Sequence, residues 1–246
     1  MSERIAKLWP GIIAVMICTL TATADDAFRD GTNAYYAGQF AQAAELFRKS
    51  AASSPGTGAL HNLGNAEWQS DHRGAAILAW EQAQWVNPYD RNTSANLRFA
   101  RKAAQLDAPE LSWFESCSAW LPVDWWAVIA CVSFWTALGL VTLPGMLGWQ
   151  KAGWHQAVAS AGLAIFLLCL PALAGVAARS KIGIIIPKDA PLRLTPTSEG
   201  QILTRLPAGE SGRCERERGN FVFIRTAIAA GWVERGQFGI ISSSPQ

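Results

Sequence analysis

Two stretches without charge decide what this chain can become. Between Asp124 and Lys151 no side chain is charged, and between Lys151 and Arg179 the only basic side chain is His155. A helix needs about 20 apolar residues to cross the hydrocarbon core of a bilayer, and Trp125 to Leu147 and Gln156 to Ala178 each supply them. The pattern predicts two membrane-spanning helices, at about 123–147 and 155–178. Pro144, Gly145, Gly148 and Gly153 mark a turn between them, so the two spans are expected to form an antiparallel hairpin. Trp113, Trp120, Trp125 and Trp126 precede the first span, and Trp149 and Trp154 lie in the turn. These are interface positions, where an indole finds both an apolar bed and an acceptor for its N–H. The alternative is a helical hairpin buried in a water-soluble protein, where two adjacent uncharged runs of this length are unusual.

The 246 residues leave room for a soluble module on each side of the hairpin. A formal charge of +2 gives no electrostatic footprint for DNA or RNA, so no nucleic-acid partner is expected. At the start, Arg4 and Lys7 precede an apolar run from Leu8 to Leu20, followed by Thr21-Ala22-Thr23-Ala24 and Asp25-Asp26. A basic beginning, a short apolar core and small residues before a cleavage point describe a secretory signal over 1–24, with an uncleaved anchor helix as the alternative. Either way the chain from Asp25 begins on the outer side and returns there after two crossings. Both flanking modules are therefore expected in the periplasm, on a multi-pass protein of the inner membrane. After the signal, Cys131 and Cys169 fall inside the spans, while Cys117 and Cys214 fall on the oxidising side. No spacing among them sets a metal site or a disulfide framework; they read as small apolar residues, with a Cys117 to Cys214 bridge as an open alternative.

Between Asp25 and Leu106 the sequence repeats. Gly31 recurs as Gly64, Ala43 as Ala76, Phe47 as Trp80 and Pro55 as Pro88, always 33 positions on. Each unit holds two helical stretches, Ala27 to Ala37 with Phe40 to Ala52, then Leu60 to Ser70 with Arg73 to Val86. Small residues let paired helices approach, an aromatic fills the gap between them, and proline ends the second helix. The next step along reaches Asn96-Leu97 in a stretch, Asn92 to Gln105, expected to cap the stack. Leu63-Gly64, Ala76, Trp80, Ala83 and Pro88 in the second unit resemble tetratricopeptide repeats (TPRs), and Gly31, Gly38, Phe40, Ala43, Phe47 and Pro55 follow in the first. The units depart from that pattern at Asp30 and where Asp71 and Arg73 replace a glycine and an aromatic.

The resemblance implies a groove lined by the first helix of each unit that holds an extended peptide. Residues four and seven apart share a helical face, and stepping by the repeat gives three columns: Phe28, His61, Ser94; Thr32, Asn65, Arg98; Tyr35, Trp68, Arg101. The candidate peptide-binding residues are Tyr35, His61, Asn65, Trp68, Arg98 and Arg101, a mixture suited to a peptide backbone or an acidic side chain. The alternative for each is an ordinary surface or packing role in a scaffold.

A membrane-proximal segment, 107–122, leads to the hairpin, and beyond it the pattern changes to short strands. Ile182 to Ile186, Leu192 to Thr195, Ile202 to Leu206, Phe221 to Arg225 and Gly231 to Val233 are separated by turn residues, which suggests a small all-β barrel over 181–246. The alternating charges Arg213, Glu215, Arg216, Glu217 and Arg218 are expected on a solvated hairpin face. Leu192-Arg193-Leu194 with Pro196, Leu206-Pro207-Ala208-Gly209, Gly219-Asn220-Phe221 with Ile224, and Gly231-Trp232-Val233 resemble a bacterial SH3 (SH3b) domain. Phe221 stands where such domains often have tryptophan.

The sequence has no G-x-S-x-G elbow, phosphate-binding glycine loop, H-E-x-x-H or C-x-x-C pair. No enzyme, cofactor or metal is expected. Signal segment, TPR pair over 25–106, tryptophan-flanked hairpin and SH3b module make a multi-domain membrane protein. In that order they resemble the BatE-like proteins of Bacteroides-aerotolerance operons. Leu63-Gly64-Asn65-Ala66 with Ala76-Ile77, Asn87-Pro88, Asn96-Leu97 and Ser112-Trp113-Phe114 carry that similarity. It implies membrane partners with von Willebrand A domains, a MoxR-type ATPase, and a role in assembly and envelope-stress tolerance. The alternatives are a peptidoglycan-binding protein that uses the SH3b module, and an accessory sensor of a wall enzyme.

Overall fold

A computed structural model describes residues 26–146 and 153–242. The signal segment and its cleavage point, and Gly148, Trp149 and Lys151 of the expected turn, lie outside the described residues. Among those described there are eight helices and a seven-stranded antiparallel sheet. They fall into two compact units, one built from the chain up to Ala108 together with the chain from Ile182, the other from Pro109–Lys181.

The first unit begins with five helices: α1 through residues 26–36, α2 (Phe40–Ser53), α3 (Thr57–Gln69), α4 (Arg73–Val86) and α5 (Arg91–Ala104). The recurring glycines sit where two helices touch. A Cβ on Gly64 would stand 2.4 Å from Nε1 of Trp80, and one on Gly31 3.0 Å from the ring of Phe47. Gly38 turns the chain between α1 and α2 at φ +75, and Asp71, 33 residues on, makes the same left-handed turn at φ 61 between α3 and α4. The backbone bonds repeat as well: Gly38 N–H to Tyr35 and Gln39 N–H to Ala34, then Asp71 N–H to Trp68 and His72 N–H to Glu67. Aspartate tolerates this region better than most residues, so the missing glycine leaves the turn intact. Ser54 and Asn87 are driven into extended backbone by the prolines that follow and end α2 and α4.

The sheet of this unit runs in the order β3-β2-β6-β5-β4-β1-β7. Its strands are β1 (Ile182–Ile185), β2 (Asp189–Arg193), β3 (Ile202–Pro207), β4 (Ser211–Arg218), β5 (Phe221–Thr226), β6 (Ala230–Glu234) and β7 (Phe238–Ile240). Two of them, β4 and β7, go beyond the five expected. Strand β4 carries alternating charges in place of apolar residues, because its outer half is exposed beside β5, with Arg216 opposite Phe223 and Arg218 opposite Phe221. Strand β7 has only three residues, too few to show a period. Ile185, Ala190, Leu192, Leu206, Val222, Ile224, Val233 and Phe238 form the sheet's core.

Strand β1 is buried on both faces. With a side-chain period of two, Ile185 joins the core of the sheet, while Ile182 and Ile184 join Ala76, Ile77, Trp80, Leu97 and Ala100 from the helices. Each such isoleucine contributes roughly 1.5–3 kcal/mol relative to an exposed one. Segments on either side of the apolar hairpin in sequence thus share one hydrophobic core.

The second unit contains α6 (Trp113–Ser118), α7 (Val123–Met146) and α8 (Gly153–Arg179). Glu115 starts α6 as the partner of a capping box, taking bonds from the Ser112 N–H and hydroxyl at 2.8 and 2.7 Å. Helices α7 and α8 have 24 and 27 residues, roughly 36 and 40 Å at about 1.5 Å per residue, against about 30 Å of hydrocarbon. They meet through small residues and aromatics: a Cβ on Gly162 would lie 3.0 Å from the Ser133 carbonyl, and the Phe134 and Phe166 rings are 5.3 Å apart. Both are long and apolar enough to cross a membrane, and only 17% and 22% of their most apolar windows are buried. The helices of a soluble core would be mostly buried. Among the described residues Cys117, Cys131, Cys169 and Cys214 are joined by no disulfide.

Candidate functional site

Helix α5 builds a cleft in the first unit that combines charge with an apolar floor. Asp90 caps its start by accepting the Asn92 N–H at 3.1 Å. Its residues Arg91, Ser94, Arg98 and Arg101 are spaced three, four and three apart and fall on one face. With Gln84 from α4, Pro88 and Tyr89 from the turn, and Leu97 beneath, they line a cleft of about 480 Å³.

The arginines differ in what holds them. Arg101 is half-buried and bonded to Glu81 of α4, an interhelical ion pair. Burial lowers its pKa from the usual value, yet a guanidinium stays charged throughout the accessible range. Arg91 and Arg98 are exposed and make no ion pair among the described residues. Gln84 donates to the Ser94 hydroxyl, which donates in turn to the Asp90 carbonyl at 2.9 Å, so the polar wall between them is fixed.

Of the six residues the sequence nominated, only Arg98 and Arg101 line this cleft. The others hold helices together. His61 reaches Thr93 at 2.8 Å, and the Thr93 hydroxyl donates to Asp90 at 2.5 Å, so His61 Nδ1 carries the proton and donates. Burial lowers the His61 pKa and the nearby Asp90 carboxylate partly offsets this; the Thr93 hydrogen bond lowers the pKa of Asp90. A histidine, hydroxyl and carboxylate in line suggest a nucleophile, but Thr93 is 0% exposed and its hydroxyl hydrogen is committed to a hydrogen bond with Asp90. The trio is a clasp between α3 and α5. Asn65 accepts from Trp80 Nε1 at 3.3 Å and from Asn96 at 2.9 Å. Trp68 packs on Trp80 and Phe99, both at 5.8 Å, under the Arg73 guanidinium at 5.5 Å. Tyr35 lies edge-on to Phe40 at 5.3 Å.

Sequence reasoning missed Arg91, Gln84 and Tyr89 as lining residues. Arg91 was legible, because it shares the helical face of Arg98; Gln84 and Tyr89 come from another helix and a turn, and no spacing rule links them. Among the described residues no three His, Cys, Asp or Glu side chains converge in a way that holds a metal. Two guanidiniums without an ion pair among the described residues, above an apolar floor, have the chemistry to hold carboxylates or phosphates. No protein-family model, curated protein or solved structure matches the chain.

Proposed function

We propose that this protein is a non-enzymatic scaffold held in the inner membrane by its apolar hairpin, with a TPR-like, peptide-binding helical face and an SH3b-like sheet presented together in the periplasm. The observation that carries the reading is the shared core of Ile182 and Ile184 with Ala76 and Ile77. Chain preceding the hairpin and chain following it must be on one side of the membrane to make that core. Two crossings satisfy this; one crossing does not. The secretory character of the first 24 residues favours the outer side.

The resemblance to BatE-like proteins makes membrane proteins with von Willebrand A domains and a MoxR-type ATPase complex the partners to look for. The role is then to hold such a complex together under envelope stress. The test is site-directed labelling combined with co-purification from native membranes. Single cysteines replacing Ser53 in α2 and Ser198 in the β2–β3 connection, both exposed, are introduced after the native cysteines are replaced. Both should react with an impermeant maleimide from the periplasmic side, and a stable partner should accompany the full-length chain. Reaction at one position only refutes the shared-side arrangement, and absence of any partner refutes the scaffold.

A further inference from the structure

We infer that the α5 cleft is a receptor for an acidic peptide segment, with Arg91 and Arg98 as the residues that grip it and Arg101 as a fixed support. This rests on the scaffold reading above and gives its partner a chemistry. Arg91 and Arg98 are exposed on one face of α5, and neither spends its charge on an ion pair among the described residues. Arg101 is already neutralised by Glu81, so the cleft holds two cationic forks in excess. Seven residues of helix separate them, about 10 Å at 1.5 Å per residue. Carboxylates about three residues apart on an extended chain span the same distance, at roughly 3.3 Å per residue. A guanidinium binds a carboxylate through two parallel N–H bonds, which fixes geometry as well as charge.

The surroundings favour peptide over a bare ion. Pro88, Leu97 and the exposed ring of Tyr89 give the cleft apolar surface alongside the two forks. The Gln84, Ser94 and Asp90 bonds hold the wall between helices in place before a ligand arrives. A preformed, open cleft with apolar and cationic parts fits side chains on an extended backbone.

Full-length protein in nanodiscs of zwitterionic phospholipid is titrated into fluorescein-labelled oligoglutamate, and separately into an oligoglutamine of equal length, with anisotropy as the readout. Oligoglutamate should bind and oligoglutamine should not. Arg91→Glu with Arg98→Glu should weaken binding by about tenfold or more, since two charge-assisted contacts become repulsive. Arg91→Lys with Arg98→Lys, which keeps the charge and loses the fork, should weaken binding less than the glutamate pair does, which separates lost charge from lost folding. Arg205→Glu with Arg218→Glu, the same charge change on exposed positions of the sheet, should leave affinity within about twofold. The inference falls if the two glutamate pairs weaken binding equally, if oligoglutamine binds as well, or if the protein takes up phosphatidylserine vesicles through Arg91 and Arg98 while ignoring oligoglutamate. Native partner capture that survives Arg91→Glu with Arg98→Glu overturns this inference and leaves the scaffold standing. Oligoglutamate binding with no captured partner does the reverse.

Discussion

Gly74, near the start of α4, lies so close to Ile186, just past β1, that a Cβ on it would stand 2.2 Å from the Ile186 carbonyl oxygen. The Ile185 carbonyl is 2.5 Å from the same point. Both obstacles are backbone, so neither can rotate away. Further along the same contact, Gln82 donates to the Ile240 carbonyl at 3.3 Å, and a Cβ on Gly239 would be 2.2 Å from Leu78. Helix α4 is thus fitted against β1 and β7 by the absence of side chains at two glycines.

Gly74→Ala should therefore destabilise the first unit by about 1–3 kcal/mol, the usual cost of overpacking, although alanine is the better helix former by about 1 kcal/mol. Gly236, with nothing near its Cβ position and no positive φ, is the control, and Gly236→Ala should change stability by about 0.5 kcal/mol or less. Helical ellipticity and tryptophan fluorescence followed together in denaturant make the check. Helices and sheet should melt in one transition at a lower midpoint for Gly74→Ala. A lowered sheet transition with an unchanged helical one would mean that the contact is incidental.

This junction leaves no periodic mark in the sequence. The pairing of Gly31 with Phe47 and of Gly64 with Trp80 could be read, because a contact repeated at a fixed offset leaves a period behind it. Asp71 looked like a departure because composition shows the missing glycine but not that aspartate keeps the left-handed turn. The meeting of Ile182 with Ala76 leaves no period at all: it joins segments separated by the entire hairpin, and either segment alone reads as a complete module. The same limit applied to the cleft. Helical spacing points to Arg98 and Arg101, whereas Asn65 and Trp68 in the same columns, and His61 in the column of Ser94, are occupied in bonding helix to helix.

Glu67 shows how much of that bonding depends on charge. Its side chain is 5% exposed, with Arg48 of α2 at 2.5 Å from one oxygen and His72 at 2.8 Å from the other. Arg48→Ala strands a buried carboxylate with His72 as its remaining partner, and should cost about 2 kcal/mol. Replacing the carboxylate as well, in Arg48→Ala with Glu67→Leu, removes the stranded charge and should recover part of the loss. Chemical denaturation of the single and double variants provides the cycle. If the double variant is less stable than Arg48→Ala alone, the ion pair is not what joins α2 to α3.

Two groups in the first unit give stability opposite dependences on pH. The pKa of His61 is lowered by burial, so above the ordinary value of about 6.5 its contribution is complete, and it is lost as pH falls from there toward the lower folded value. Glu210 is buried near Asp107, and both burial and that carboxylate raise its pKa. Its folded form binds the proton more readily, so it contributes at low pH and that contribution fades as pH rises from about 4.5 through the raised value. In the interval bounded by their ordinary values, about pH 4.5 and 6.5, the two act in opposite senses. Glu210→Gln should make the acid-side loss of stability steeper in this interval, and His61→Gln should reverse it so that stability rises as pH falls. Thermal melts at closely spaced pH values decide the matter; parallel curves for all three proteins would show that neither group governs the profile.

The hairpin can be tested through the unit that depends on it. Leu168 stands near the middle of α8 with 76% of its surface exposed, so in a soluble protein Leu168→Arg would be a mild surface change, within about 0.5 kcal/mol. At the centre of a membrane span the same arginine costs roughly 2.5–3.5 kcal/mol of insertion. The consequences should then extend well beyond α8. A chain that fails its second crossing leaves β1 on the far side from α4, so Ile182 and Ile184 cannot reach Ala76 and Ile77. Helices that are protease-resistant in the parent should become sensitive, although the substitution lies in neither the helices nor the sheet. Carbonate extraction and limited proteolysis of isolated membranes report the two halves of this prediction. Full membrane retention together with an unchanged digestion pattern would mean that α8 does not depend on a hydrocarbon surrounding, and the double crossing that places both flanks on one side would lose its support.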